Sequence, residues 1–87
     1  GGPDILELVA YVTGSGYRKA VVNSLQNNPE QPSVIAEEAD VARSHISRAL
    51  SELSDKRIVQ SHGGDSRTKI YSLTDLGETV ADYVPED

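Results

Sequence analysis

The spacing of apolar residues changes twice along this 87-residue chain, and those two changes constrain the fold more than any other feature. Up to Arg57 the apolar positions recur at helical intervals. From Ile58 to His62 and from Thr68 to Leu73 they alternate, on β-branched residues, on either side of the "GGDSRT" segment. After Leu73 the helical interval returns. A chain that goes from helix to hairpin to helix within 30 residues must pack its helices on one side of a short β-ribbon.

The helical part divides into four segments. Asp4 is a suitable N-cap for a first helix over Ile5 to about Val12, ended by Thr13-Gly14. Ile5, Leu8, Val9 and Val12 form one stripe, while Leu6 and Ala10 lie off it. Such a helix wants two neighbours, either a dimer partner or more of its own domain. Ser15 caps a second helix to about Gln26, with Tyr17, Val21 and Leu25 on its apolar face. Asn27-Asn28-Pro29 breaks it. Pro32 sits well in the first turn of a third helix, Pro32 to Ala39, which buries Ile35 and Ala36. Asp40 then supplies a residue that tolerates the left-handed backbone of a tight interhelical turn. A fourth helix covers about residues 42–55, and Ile46, Ala49, Leu50 and Leu53 share its inner face. Beyond the hairpin, Thr74 or Asp75 starts a last helix carrying Leu76, Val80, Tyr83 and Val84, and Pro85 ends it. Residues 4–84 are therefore read as one domain. Residues 1–3 form a leader that is disordered or left from cloning, and residues 85–87 form an acidic tail.

Composition excludes several classes of protein. There is no cysteine, so neither a disulfide framework nor a thiolate metal site exists, which fits a reducing, cytoplasmic location. Apolar runs are only a few residues long, far from the roughly 20 a membrane span requires. His45 and His62 lie on different elements, and no serine has a base beside it in a recognisable motif. No enzyme activity, metal or cofactor is expected. The core must be built from Val, Ile, Leu, Ala and Tyr, because Trp, Phe and Met are also absent.

Charge is unevenly placed. The chain carries a net charge of -6, with 14 acidic side chains. That surface, poor in lysine, reads either as a halophile's adaptation or as an ordinary acidic domain. Residues 1–40 hold six acids and two bases, and residues 73–87 hold five acids and no base. Residues 41–72 reverse the balance, with six bases and three acids. The basic segment opens with "VARSHISRALSEL", whose outward face carries Arg43, Ser44, Ser47, Arg48 and Ser51 with His45 on the flank. Small hydroxyls beside arginines let a helix approach a nucleic-acid surface closely, whereas a merely solvated face usually carries long Glu and Lys pairs. The segment ends in a hairpin flanked by Arg67 and Lys69. A basic footprint on one helix and one hairpin is the pattern of a nucleic-acid binder.

Two helices joined by a short turn and followed by a β-hairpin make a helix-turn-helix with a wing, an α+β fold that is mainly helical. The stretch "PSVIAEEADVARSHISRALSELSDKRIVQSHGGDSRTKIYSLTDLGETV" resembles the winged helix of MarR-type regulators, particularly the small archaeal ones. The features carrying the resemblance are Ile35-Ala36, Ser44-x-x-Ser47-Arg48-Ala49-Leu50, Asp65-x-Arg67, and Tyr71-Ser72-Leu73-Thr74 followed by Gly77. It covers about residues 17–80. The resemblance implies a sequence-specific regulator of transcription that binds double-stranded DNA. Arg43, Ser44, His45, Ser47 and Arg48 would lie at major-groove or phosphate positions. Arg67 would sit at the wing tip, near the minor groove or its phosphates, with Asp65 bracing it. Three positions depart from the pattern. Ala42 stands at a usual capping Ser or Thr, Asp40 at a usual Gly, and Gln31 at a usual capping Thr.

The residues themselves leave alternatives open. Arg48 either contacts DNA or pairs with Glu52 one turn on. Arg67 either contacts DNA or pairs with Asp65 to stiffen the loop, and His45 is either a DNA contact or a plain surface histidine. Lys56 and Arg57 read first as charges at a helix C-terminus. Gly63 and Gly64 support the wing. Apolar surplus at both ends, on Leu6, Leu8, Val12, Leu76, Val80 and Tyr83, suggests a homodimer. A small-molecule effector is not expected, because little of the chain lies outside the winged helix. The competing reading is a winged helix that binds protein within a transcription or replication assembly.

Overall fold

The computed structural model describes residues 4–63, 65 and 68–85. Its elements run α1 (Ile5–Thr13), α2 (Gly16–Leu25), α3 (Pro32–Ala39), α4 (Arg43–Asp55), β1 (Val59–His62), β2 (Ile70–Leu73) and α5 (Asp75–Ala81). The N-caps of the first two helices are those the sequence predicts. Asp4 Oδ1 accepts from the Leu6 and Glu7 amides, and Ser15 Oγ accepts from the Arg18 amide at 3.3 Å. Neither Gln31 nor Ala42 makes a side-chain cap, so α3 and α4 both start without one.

The core is one cluster, and among the described residues every fully buried side chain is apolar. Val12, Val21, Val22, Ile35, Ile46, Leu50, Leu53, Ile58 and Val80 fill its centre. From α4 come Ile46, Ala49, Leu50 and Leu53, at the i, i+3, i+4, i+7 spacing that puts four residues on one stripe. β1 and β2 pair antiparallel with Val59 opposite Leu73 and His62 opposite Ile70. Glu30 adds one further bridge by exchanging two backbone hydrogen bonds with Tyr71, at 3.0 and 2.9 Å. The loop ahead of α3 is thereby sewn to the outer edge of β2. A single bridged residue has no periodicity, and the sequence gives no sign of it.

Two tight turns use left-handed residues that are not glycine. Asp40, between α3 and α4, has φ 57° and ψ 46°, and its amide bonds back to Ala36 and Glu37. Arg57, with φ 60°, ends α4: its own amide bonds to Ser54 O and the Ile58 amide to Leu53 O. This is the Schellman arrangement, with Ile58 packed back into the core. Glycine adopts this backbone without steric cost. Asp40→Gly is expected to raise stability by about 0.5–1 kcal/mol, a melting-point increase of about 2–8 °C for a domain of this size. Thermal unfolding followed by circular dichroism measures it. An unchanged or lower midpoint would mean the aspartate side chain does more for the turn than its backbone costs.

Two expectations are corrected. The last helix does not reach Pro85. It stops at Ala81, and Tyr83 and Val84 continue through tighter i→i+3 bonds to Val80 and Ala81. Val12 and Val80, expected at a dimer surface, are fully buried in the chain's own core. α1 packs on α2 and α5, and both valines belong to the single core cluster these helices share.

Candidate nucleic-acid interface

α4 presents two opposed faces because its sequence is strictly amphipathic. The inner stripe is buried, and Arg43, Ser44, His45, Ser47, Arg48 and Ser51 are all exposed. With no side-chain cap at Ala42, the amides of the first turn have no side-chain acceptor from that residue. They carry the positive end of the helix dipole toward the same surface.

The flank of this face is organised from α2. The Tyr17 and His45 rings stack with centroids 4.4 Å apart and planes 3° from parallel. The Arg18 guanidinium bonds through Nη1 to Glu52 Oε1 at 3.2 Å and through Nε to Tyr11 O at 2.8 Å, and it lies 3.9 Å over the Tyr11 ring. Lys56 Nζ lies 5.2 Å from the centre of that ring. Arg48 Nε is 3.8 Å from the other Glu52 oxygen, and the Arg48 side chain remains 82% exposed. Glu52 is thus half-buried, already matched by Arg18, and only loosely held by Arg48.

Tyr17, Arg18 and Glu52 are absent from the candidates drawn from the sequence. Tyr17 was expected on the apolar face of α2 with Val21 and Leu25. Those two are buried, but Tyr17 is 40% exposed and turned toward α4. Its place in the first turn, beyond the edge of the core, is the only sign in the sequence that it could do something else.

On the wing, Gly63 has φ +108°, and a Cβ there would stand 2.9 Å from Thr68 O. Asp65 Oδ1 accepts from both the amide and the hydroxyl of Thr68, at 3.0 and 3.1 Å, closing the loop. His62 Nε2 and Ser72 Oγ are 3.0 Å apart across the strands. Lys69 is half-buried. Gly64 and Arg67 lie outside the described residues.

The terminal elements separate the remaining candidates. Leu6 is 72% and Tyr83 60% exposed, whereas Leu8 and Leu76 are half-buried against the core. No group of histidine and acidic side chains among the described residues could hold a metal ion. No described helix is long and apolar enough to cross a membrane.

Helix-turn-helix, hairpin and flanking helices together define a winged helix-turn-helix of the type found in MarR-family regulators. The chain belongs to the family described as HVO_A0261 N-terminal domain, which matches residues 6–86. No curated protein matches the sequence. Among solved structures it is similar to ZitR of Lactococcus lactis in complex with DNA, at 22% identity and a TM-score of 0.68 over 76% of this chain and 47% of that one. It is also similar to NMB1585, a MarR family regulator from Neisseria meningitidis, at 21% identity and a TM-score of 0.72 over 77% and 49% of the two chains. The adhesin competence repressor AdcR of Streptococcus pyogenes has a TM-score of 0.72 at 14% identity, over 78% and 52%. The chain spans about half the length of these structures, and at such identities the likeness is one of fold.

Proposed function

We propose that this chain is a sequence-specific regulator of transcription that binds double-stranded DNA. α4 enters the major groove, and the wing, residues 62–69, lies at the adjacent minor groove or backbone. The observation that carries this reading is the outer face of α4, where two arginines, three serines and a histidine stand exposed opposite a buried stripe of Ile46, Ala49, Leu50 and Leu53. Arginine forks match guanine edges, and serine hydroxyls and first-turn amides suit phosphate oxygens. The charge map agrees, since the only segment with a basic excess is the one that would face the duplex. One relative in fold, ZitR, has been solved with DNA. Binding rather than catalysis is the proposed activity. The test is selection of bound sequences from a random pool, followed by isotherms on the selected and random duplexes across a salt series. Each phosphate neutralised contributes about -0.9 to the slope of log K against log salt. Failure to retain any duplex at low salt would move the reading to a protein-binding winged helix.

We infer further that the DNA-bound form is a homodimer whose surface includes Leu6, Leu8, Leu76 and Tyr83. Leu6 on α1 and Tyr83 just after α5 are large apolar side chains left exposed on two terminal segments whose helices pack together, and such exposure is a common mark of association. Two-fold symmetry then sets half-sites about 10–10.5 bp apart, or a multiple of that. Sedimentation at micromolar concentration in molar salt is expected to show a dimer that Leu6→Asp dissociates. Wild-type protein that sediments only as a monomer, with and without DNA, would rule the dimer out.

A further inference from the structure

We propose that Tyr17 is a positioning residue for sequence readout: it holds His45 in the orientation that α4 presents to DNA. The inference rests on the reading of α4 as a DNA-binding helix. It goes beyond that reading by assigning part of the specificity to a residue outside the helix-turn-helix.

His45 is exposed on the flank of α4, and an exposed histidine samples several rotamers. Here its ring lies parallel to the Tyr17 ring, at 4.4 Å and 3°. A flat partner at that distance limits the imidazole to one plane. Its nitrogens then reach a base edge or phosphate without first losing rotational freedom. The platform beneath is itself fixed. Tyr17 is in the first turn of α2, whose N-cap Ser15 holds the Arg18 amide. Arg18 in turn ties that turn to α4 through Glu52 and to α1 through the Tyr11 carbonyl and ring. The stack therefore joins two helices whose relative position is set at adjacent residues. Tyr17 is also 40% exposed, which is more than a tyrosine serving only the core would show.

The experiment compares wild type, Tyr17→Ala, Tyr17→Phe, His45→Ala and the Tyr17→Ala/His45→Ala double variant. Each is measured on the selected duplex, on the same duplex altered one base pair at a time, and on random duplex. Tyr17→Leu, which keeps apolar cover without a ring to stack, stands in should the alanine variant not fold. Tyr17→Ala is expected to lower affinity for the selected duplex by about three- to tenfold and to flatten preference at one position of each half-site. Affinity for random duplex is expected to stay within about twofold. Tyr17→Phe keeps the stack and should retain the preference. The double variant should lose no more than His45→Ala alone, because the two residues act as one unit. Equal losses on selected and random duplex, or additive losses in the double variant, would overturn the proposal. So would a His45→Ala variant that reads DNA as wild type does, although the DNA-binding reading would then survive. Wild-type protein that prefers no sequence removes both.

Discussion

Gly77→Ala is expected to cost about 3–5 kcal/mol, a large share of the stability of a domain this small. Gly77 is buried in the first turn of α5, where that helix crosses the start of the hairpin. A Cβ at this position would stand 2.0 Å from the carbonyl oxygen of Ile58. The clash is with backbone, so no side-chain rotation relieves it. The Ile58 carbonyl cannot retreat, because it accepts from the Thr74 amide at 3.0 Å and is followed by strand β1. Nor can α5 move away. Its N-cap Thr74 accepts from the Gly77 amide at 2.9 Å and donates to Arg57 O at 2.6 Å, which clamps α5 to the end of α4. Relief would require opening the contact that seats Val80 and Ala81 in the core. Domains this small have roughly 5–10 kcal/mol of stability in all, so one methyl group removes a large share of it. Gly16→Ala is the control. It adds the same methyl at the first position of α2, where nothing lies within 4 Å. That change is expected to be neutral or to stabilise by up to about 1 kcal/mol. Chemical denaturation of the two variants beside wild type measures both, and a Gly77→Ala variant within 1 kcal/mol of wild type, as an order-of-magnitude threshold, would show that the close approach is not maintained.

The contrast between these glycines marks the limit of what the sequence discloses. Local chemistry was legible. Asp4 and Ser15 cap, Pro32 starts a helix, Asp40 turns left-handed, and the stripe from Ile46 to Leu53 is buried as its spacing predicts. Each of these depends on residues within one or two turns of each other. Long-range pairings were not legible. Nothing near Gly77 in the chain announces that the Ile58 carbonyl occupies the space a Cβ would need there. The apolar stripe of α1 was recognised, but periodicity does not say what covers a stripe. Val12 and Val80 proved to be covered from within the chain. Tyr17 shares helical spacing with Val21 and Leu25, so spacing alone placed it on the core side. In the structure the first turn of α2 overhangs the core, and the ring meets α4 instead. The same applies to Arg18, which is 34 residues from Glu52 in the chain and 3.2 Å away in space. The outer face of α4 could be read from sequence because it belongs to one helix. The side chains that steady it could not, because they come from another.

Arg48→Ala is expected to weaken binding to the preferred duplex by roughly 5- to 150-fold, or about 1–3 kcal/mol. The resting state of the side chain favours this outcome. Its Nε lies 3.8 Å from Glu52, a loose i,i+4 contact at a mostly exposed site that contributes at most a few tenths of a kcal/mol. Glu52 does not depend on Arg48 for neutralisation, since its other oxygen is held by Arg18 at 3.2 Å. Arg48 can therefore leave for a guanine edge or a phosphate at little cost, and the carboxylate it leaves stays matched. Without Arg18, the same carboxylate one turn along the reading face would repel the DNA backbone. For the same reasons the alanine variant should melt within a few degrees of wild type, which separates lost recognition from lost folding. The pattern of the loss then identifies the contact. A base-reading arginine gives a loss confined to the preferred sequence, with preference erased at one position of each half-site. A phosphate-binding arginine weakens preferred and random duplex alike and reduces the salt slope by about one. The acidic body does not obscure this measurement. At about 0.15 M salt the screening length is ~8 Å, so carboxylates behind the reading face act only weakly on the duplex in either variant. Unchanged affinity for both duplexes would place Arg48 outside the interface and shift the reading role to Arg43 and His45.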